Sequence, residues 1–309
     1  MTKFEKVFSN IDLKKSKGLE IGALDNPMVD SSQYQVEYLD YTDSNTLREN
    51  HKHNPFVNVN QIVEVHHIWG QDGLAFNLGK EQFDYVVASH VIEHIPDLIT
   101  WLNEIHEVLK SDGILALVVP DKRFIFDFPR NLTSAGDWIQ AFHEKRRRPG
   151  IKEIFDHFSQ HSLAHPSKLW RRSFKKKLVH DSIYALEQVR RLTEKQEYVD
   201  VHCWVLEPFQ FVQIMKDLSI AGLIKFQILQ IFPTEVNEID FVVVLKKIQK
   251  SCPESSFSRF ETDLARRQRW QDSFWGRIYI FGVSHMKDLK QRMQNLKKRI
   301  SKKSDALIE

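Results

Sequence analysis

Lys17-Gly18-Leu19-Glu20-Ile21-Gly22-Ala23-Leu24-Asp25-Asn26-Pro27 (KGLEIGALDNP) begins like a nucleotide-binding turn and then departs from one. A short apolar run ends in Glu-Ile-Gly, as a first β-strand feeding a glycine turn would, yet no G-x-G-x-x-G follows. In dinucleotide sites the second and third glycines let a pyrophosphate sit on a helix N-terminus. Here Asp25 would stand beside that phosphate, which disfavours an anion and favours a ligand with positive charge and no phosphate.

Outward from that turn, β-rich runs alternate with helical patterns to about residue 120, the rhythm of βαβ units around a parallel sheet. The strands are expected at 18–21, 35–39 ending at Asp40, 61–65, 83–89 and 114–119. Between the last two, Leu98, Trp101, Leu102, Ile105, Val108 and Leu109 recur at helical spacing, with Asp97 to cap and Gly113 to stop. From about 121 to 206 the rhythm gives way to a basic, histidine- and aromatic-rich insertion with helical stretches. Two further strands, 225–232 and 239–245, are joined by so short a loop that they must run antiparallel. After Lys250 the composition turns polar and helical, so a domain of 1–250 and a basic helical tail of 251–309 are expected.

In an open α/β sheet the ligand lies beyond the strands' carboxyl ends, which here carry Gly22, Asp40, His66, Ser89 and Asp121. Asp40 is placed to accept hydrogen bonds from both hydroxyls of a ribose, unless it merely caps a following helix. A cationic, phosphate-free nucleoside suits the opening turn, and S-adenosyl-L-methionine fits that description. G-L-E-I-G-A, the acidic end of the second strand, F-D-Y-V-V-A-S-H-V-I-E-H-I-P-D and L-K-S-D-G-I-L-A-L-V-V-P-D together resemble a class I S-adenosylmethionine-dependent methyltransferase. Within that superfamily they most resemble methyltransferase-domain proteins associated with bacterial surface-polysaccharide biosynthesis. The resemblance covers roughly residues 17 to 122 and implies a Rossmann-like seven-stranded α/β sheet of order 3-2-1-4-5-7-6, with an antiparallel strand pair at the end. It also implies that Glu20 and Gly22 shape the methionine end, Asp40 holds the ribose, Tyr41 lies by the adenine, and Ser89 and His90 border the reactive methyl; Ala23 and Asp25 of the same turn, and His66, standing where the family often has an acidic residue toward the adenine, complete the expected cofactor-binding set.

For an acceptor hydroxyl, whose proton must leave as the new bond forms, His202 is the first candidate base, followed by His90 and Asp121. A buried structural role is the alternative for His202. Glu93 and His94 are expected to fix the loop after the fourth strand by hydrogen bonds, and His106 to lie on the surface. His157, His161 and His165 tempt a metal reading through their i, i+4 spacing, but no carboxylate or cysteine nearby completes a familiar ligand set, and no metal is expected.

The 309 residues, 42% hydrophobic and 28% charged, suffice for a substantial core, and a net charge of +3 is too small to mark a nucleic-acid binder. Only Cys203 and Cys252 are present, and no stretch reads as a signal peptide or membrane span, so the cytoplasm is the expected compartment. The run 168–177, KLWRRSFKKK, and a tail stripe of Leu289, Met293, Leu296 and Ile300 concentrate cations beside apolar residues. Residues 285–303 are therefore expected to meet either an anionic membrane surface, at the inner face, or a partner helix. Two functions follow. One, whose acceptor class is what the family resemblance implies, is O-methylation of a sugar or other small-molecule hydroxyl; the other is a weakly catalytic binding module docking a glycan-assembly complex or membrane through its tail. RNA methylation is the weakest reading, since the Asn/Asp-Pro-Pro-aromatic signature of amino-nitrogen methylation is absent.

Overall fold

The structure, a computed structural model, describes residues 1–69, 74–163, 165–174, 176–195 and 199–305, without the side chains of 75, 76 and 296–305. Lys175 of the basic run and the side chains of Leu296 and Ile300 lie outside that description.

A short helix α1 (Lys3–Val7) precedes β1 (Gly18–Ile21), β2 (Val36–Asp40), α2 (Ser44–His51), β3 (His67–Ile68), α3 (Leu74–Leu78), β4 (Phe83–Ser89), α4 (Leu98–Val108) and β5 (Leu109–Pro120). The sheet closes with β6 (Phe226–Phe232) and β7 (Asp240–Lys247) in the order β3-β2-β1-β4-β5-β7-β6. β7 runs antiparallel to both of its neighbours, and the remaining pairs among β1 to β5 are parallel. Strands covered on both faces read as unbroken apolar runs, and alternate residues divide between two layers. Tyr85 and Val87 face a layer with Val7 and Phe8, while Val86 and Ala88 face one with Trp101 and Ile105 of α4. The expected stripe on α4 is buried from Leu98 to Val108, and the Asp97 side chain caps the helix by accepting from Thr100 N at 3.0 Å, but Leu109 already opens β5 and Gly113 lies within that strand instead of stopping the helix.

The third strand differs from expectation. Segment 61–65 forms no ladder; it is held by Val63 N donating to Leu24 O and Val65 N donating to Ser44 Oγ. The strand is the two residues that follow, so His66 precedes β3 instead of ending it.

The insertion carries α5 (Ala135–His143), α6 (Ile151–Gln160), α7 (Pro166–Trp170) and α8 (Ser182–Lys195). Its ends meet where Asp121 bridges Leu206 and Lys122 N donates to Leu206 O at 2.9 Å. Then come α9 (Pro208–Ile220), α10 (Ser255–Asp272) and α11 (Phe274–Asp305). Phe257, Phe260 and Leu264 of α10 join the same core layer as α4 and α9, so the change near residue 250 is one of surface composition and not of core. α11 is anchored by buried Ile280 and Ser284 and by the Arg171–Asp288 ion pair at 2.9 Å.

Candidate functional site

The carboxyl edge of the sheet brings together the turn after β1, the end of β2 and the loop after β4. Glu20 is buried and accepts from Met28 N at 2.7 Å and Val29 N at 2.9 Å, fastening the 22–29 loop over the edge. Burial raises its carboxyl to about 7 despite those two donors. Gly22 sits at φ +69°, and a Cβ there would meet Val91 Cγ2 at 2.8 Å, so both conformation and space require glycine. Ala23 is buried in the loop, and Asp25 accepts from Asn58 N at 2.7 Å, which holds it beside the turn.

Asp40 does not cap α2; Asp43 does, accepting from Asn45 N and Thr46 N. One Asp40 oxygen accepts from Tyr41 N at 2.7 Å, the other has no bonded partner among the described residues, and burial raises the carboxyl's pKa. A half-buried carboxylate with spare acceptor capacity at a glycine turn fits a ribose-bearing cofactor. Tyr41 is exposed, its hydroxyl accepting from Asn50 Nδ2. His66 Nδ1 accepts from Tyr38 N at 3.0 Å, behind the strand ends, and is not brought to the edge with Asp40.

Ser89 ends β4 half-buried, and His90 follows at φ +55°, its Nε2 3.1 Å from Asp240 Oδ2. Burial alone would raise the Asp240 carboxyl, but His90 and Lys3 hold it below the usual range. His90 Nδ1 lies 3.6 Å from Glu93 Oε1, which links the cofactor edge to a second cluster in the turn Ile92–His94.

That cluster is built against the insertion. His202, 8% exposed, places Nδ1 2.5 Å from Asp127 Oδ2, and Arg130 Nη1 donates at 2.9 Å to both Asp127 Oδ1 and the His202 carbonyl. Burial opposes ionisation of Asp127, yet His202 and Arg130 pull it down to about 2. The His94 and His202 rings meet edge to face at 4.8 Å, and His94 Nδ1 lies 2.6 Å from Asp200 Oδ1. Burial works against the charged form of His94, but Asp200 and Glu93 raise its pKa.

Phe126 lines the same space, its ring 4.8 Å from His202 and stacked on His161 at 4.4 Å. His157 lies 5.4 Å from His161, its pKa lowered to about 4 by burial. α6 ends at His161, so His165 belongs to the next turn and contacts Ser167 instead.

Three expectations change. Asp121 is fully buried, and its oxygens are taken by Arg123 N, Nε and Nη2 and by Thr234 Oγ1, leaving it no lone pair for a substrate proton. The Glu93 tie to the loop runs through its carbonyl, which accepts from Cys203 N at 2.6 Å; its carboxylate, 1% exposed, makes no hydrogen bond among the described residues. His106 is half-buried, with Nε2 2.9 Å from Ile248 O. Asp127, Arg130 and Asp200 were missed. The signal for Asp127 was a lone carboxylate inside the aromatic run FIFDF.

A family model described as Methyltransferase domain matches residues 3–172, more than half of the chain, and the protein belongs to that family. Comparison with curated proteins gives no match. Among solved structures, a candidate Zn-dependent alcohol dehydrogenase from Rhodobacter sphaeroides aligns at TM-score 0.45 and 10% identity over 80% of this chain and 89% of that one. An S-adenosylmethionine-dependent methyltransferase from Methanosarcina mazei aligns at 0.40 and 15% over 79% and 97%. One from Mesorhizobium loti aligns at 0.38 and 12% over 76% and 92%. Every one of these TM-scores is below 0.5, so the assignment stands on the family match and the observed strand order.

Proposed function

We propose that the protein transfers a methyl group to a hydroxyl of a sugar or other small polar molecule, with S-adenosyl-L-methionine as its cofactor. When bound, the cofactor supplies a methyl already activated on a sulfonium, so the protein's task is in-line placement of the acceptor about 3 Å away with water excluded. Gly22 and the loop fastened by Glu20 admit the cofactor, and Asp40 accepts from its ribose. The acceptor lies between the Ile92–His94 turn and the insertion. There the His202 imidazole donates Nδ1–H to Asp127, so Nε2 carries the lone pair that receives the hydroxyl proton as the oxygen takes the methyl.

The observation that carries this reading is the buried His202–Asp127 pair at 2.5 Å beside the Ile92–His94 turn. Incubation with methyl-labelled cofactor and a panel of sugar nucleotides and free sugars tests it. Label should enter one acceptor class as an acid-stable methyl ether; label on nitrogen or carbon, or none on any acceptor, would overturn it.

We propose further that the enzyme works against an anionic bilayer surface. Phe274, Trp275, Ile278, Tyr279, Met286 and Leu289 are all exposed and, at 100° per residue, fall within an arc of about 140° on α11. Lys290 and Arg292 stand at the arc's two margins, and the acidic Asp288 is occupied by Arg171. Aromatic rings flanked by cations suit the headgroup boundary. Among the described residues no helix is long and apolar enough to cross a membrane. The apolar face begins earlier than the stripe expected at 289–300.

A further inference from the structure

We infer that Glu93, His94 and His202 form a site for a divalent cation that binds the acceptor hydroxyl. The inference rests on the reading of this cluster as the acceptor site. One ligand atom from each residue lies within 4.8 Å of the others, with His94 Nε2 3.9 Å from Glu93 Oε1. Ligand atoms about 2 Å from a common ion stand roughly 3 to 4 Å apart, so a small inward movement closes the set.

Three features favour an ion over an accidental cluster. Both imidazoles turn Nδ1 to a carboxylate, His94 to Asp200 at 2.6 Å and His202 to Asp127 at 2.5 Å. The His202–Asp127 bond fixes that ring with Nδ1–H outward and leaves its Nε2 as the donor atom, the arrangement that supports metal-bound histidine, and Asp200 stands at the corresponding place beside His94. Next, the Glu93 carboxylate is buried without a hydrogen bond among the described residues, where imidazole nitrogens stand 3.6 and 3.9 Å from it. A carboxylate left so is costly unless something compensates it. Lastly, Glu93, Asp127 and Asp200 each lie against one of these imidazoles while Arg130 pairs with Asp127, an excess of carboxylates that a dication offsets.

Two imidazoles and one carboxylate on one side of an ion suit Zn²⁺, Mn²⁺, Fe²⁺ or Co²⁺ and leave coordination positions open. An acceptor hydroxyl at an open position would have its pKa lowered. In that state His202 is a ligand, and the proton leaves to water. The hydroxyl O–H and cofactor S–C bonds break, the O–C bond forms, and the products are a methyl ether, a thioether and one proton.

The experiment is titration of chelator-stripped, full-length protein with Co²⁺, followed by visible absorption, and with Zn²⁺ by calorimetry. One equivalent should bind saturably. Glu93→Gln, which preserves shape, should weaken binding at least tenfold, and Asp200→Asn, acting through His94, should weaken it as well. Melting curves establish that each variant is folded. Absence of saturable binding, or equal affinity in wild type and folded Glu93→Gln, would overturn the site. Methyl transfer that persists in stripped protein without binding would sink the ion and leave the His202 base in place, whereas ion binding without transfer would count against the methyl-transfer reading alone.

Discussion

His202 Nδ1 and Asp127 Oδ2 lie 2.5 Å apart although 75 residues separate them in the chain. Asp127 follows the sheet's fifth strand and His202 ends the insertion, so the pair forms only where the insertion closes on itself. Arg130 clamps that closure by bonding both residues. The pairing of His202 with Asp127 is thus tied to the folding of the insertion.

Replacing Asp127 with Asn should leave cofactor affinity near wild type and lower turnover by about 10²-fold or more, because the amide no longer enforces the Nδ1–H tautomer. Steady-state rates beside cofactor calorimetry would check this. His202→Ala should lower turnover similarly, and a parallel loss of cofactor affinity in either variant would place the pair in the wrong site.

The Glu20 carboxyl is raised from 4.5 to about 7, so between those pH values the native state holds a proton that the unfolded chain has released. The Glu20 contribution to stability should therefore fall as pH rises from about 4.5 to about 7 and level off above, by about 3 kcal/mol in total, while buried His157 contributes with the opposite sign over much of that range. Glu20→Gln should lack that slope. Chemical denaturation at half-unit pH steps on both proteins would reveal the difference, and parallel curves would show that the carboxyl is not perturbed.

On α11, Trp275 is 73% exposed within the apolar arc. Wild-type protein should sediment with vesicles containing phosphatidylserine and much less with neutral phosphatidylcholine vesicles, and binding should weaken with salt. Trp275→Asp combined with Phe274→Asp should abolish sedimentation without changing the melting temperature. Equal binding to both vesicle types would exclude the charged-surface account, and a shift to a dimer in light scattering would favour a second copy of the chain.

Much of the frame was legible because strands buried on both faces read as apolar runs and α4 shows its stripe and its Asp97 cap in order. β3 escaped because two residues carry no periodicity, while the β-rich run at 61–65 is a segment outside the ladder from which Ile62 packs inward. The place of Asp40 at the end of β2 could be read from the strand pattern. Asp121 had the same signal and a different outcome, since nothing local announces that Arg123 and Thr234 fill its lone pairs. Asp127, Asp200 and the unbonded Glu93 carboxylate acquire meaning only through contacts made across the insertion.

The central claim is that the edge beside Gly22 and Asp40 holds a phosphate-free, positively charged nucleoside. Calorimetric titration with S-adenosylmethionine, its demethylated thioether product and NAD tests it most directly. The expected result is one-to-one binding of the first two, no binding of NAD, and at least tenfold weaker affinity in Asp40→Ala, from loss of a charged hydrogen-bond acceptor. Binding of NAD in their place, or unchanged affinity in the Asp40 variant, would contradict the account.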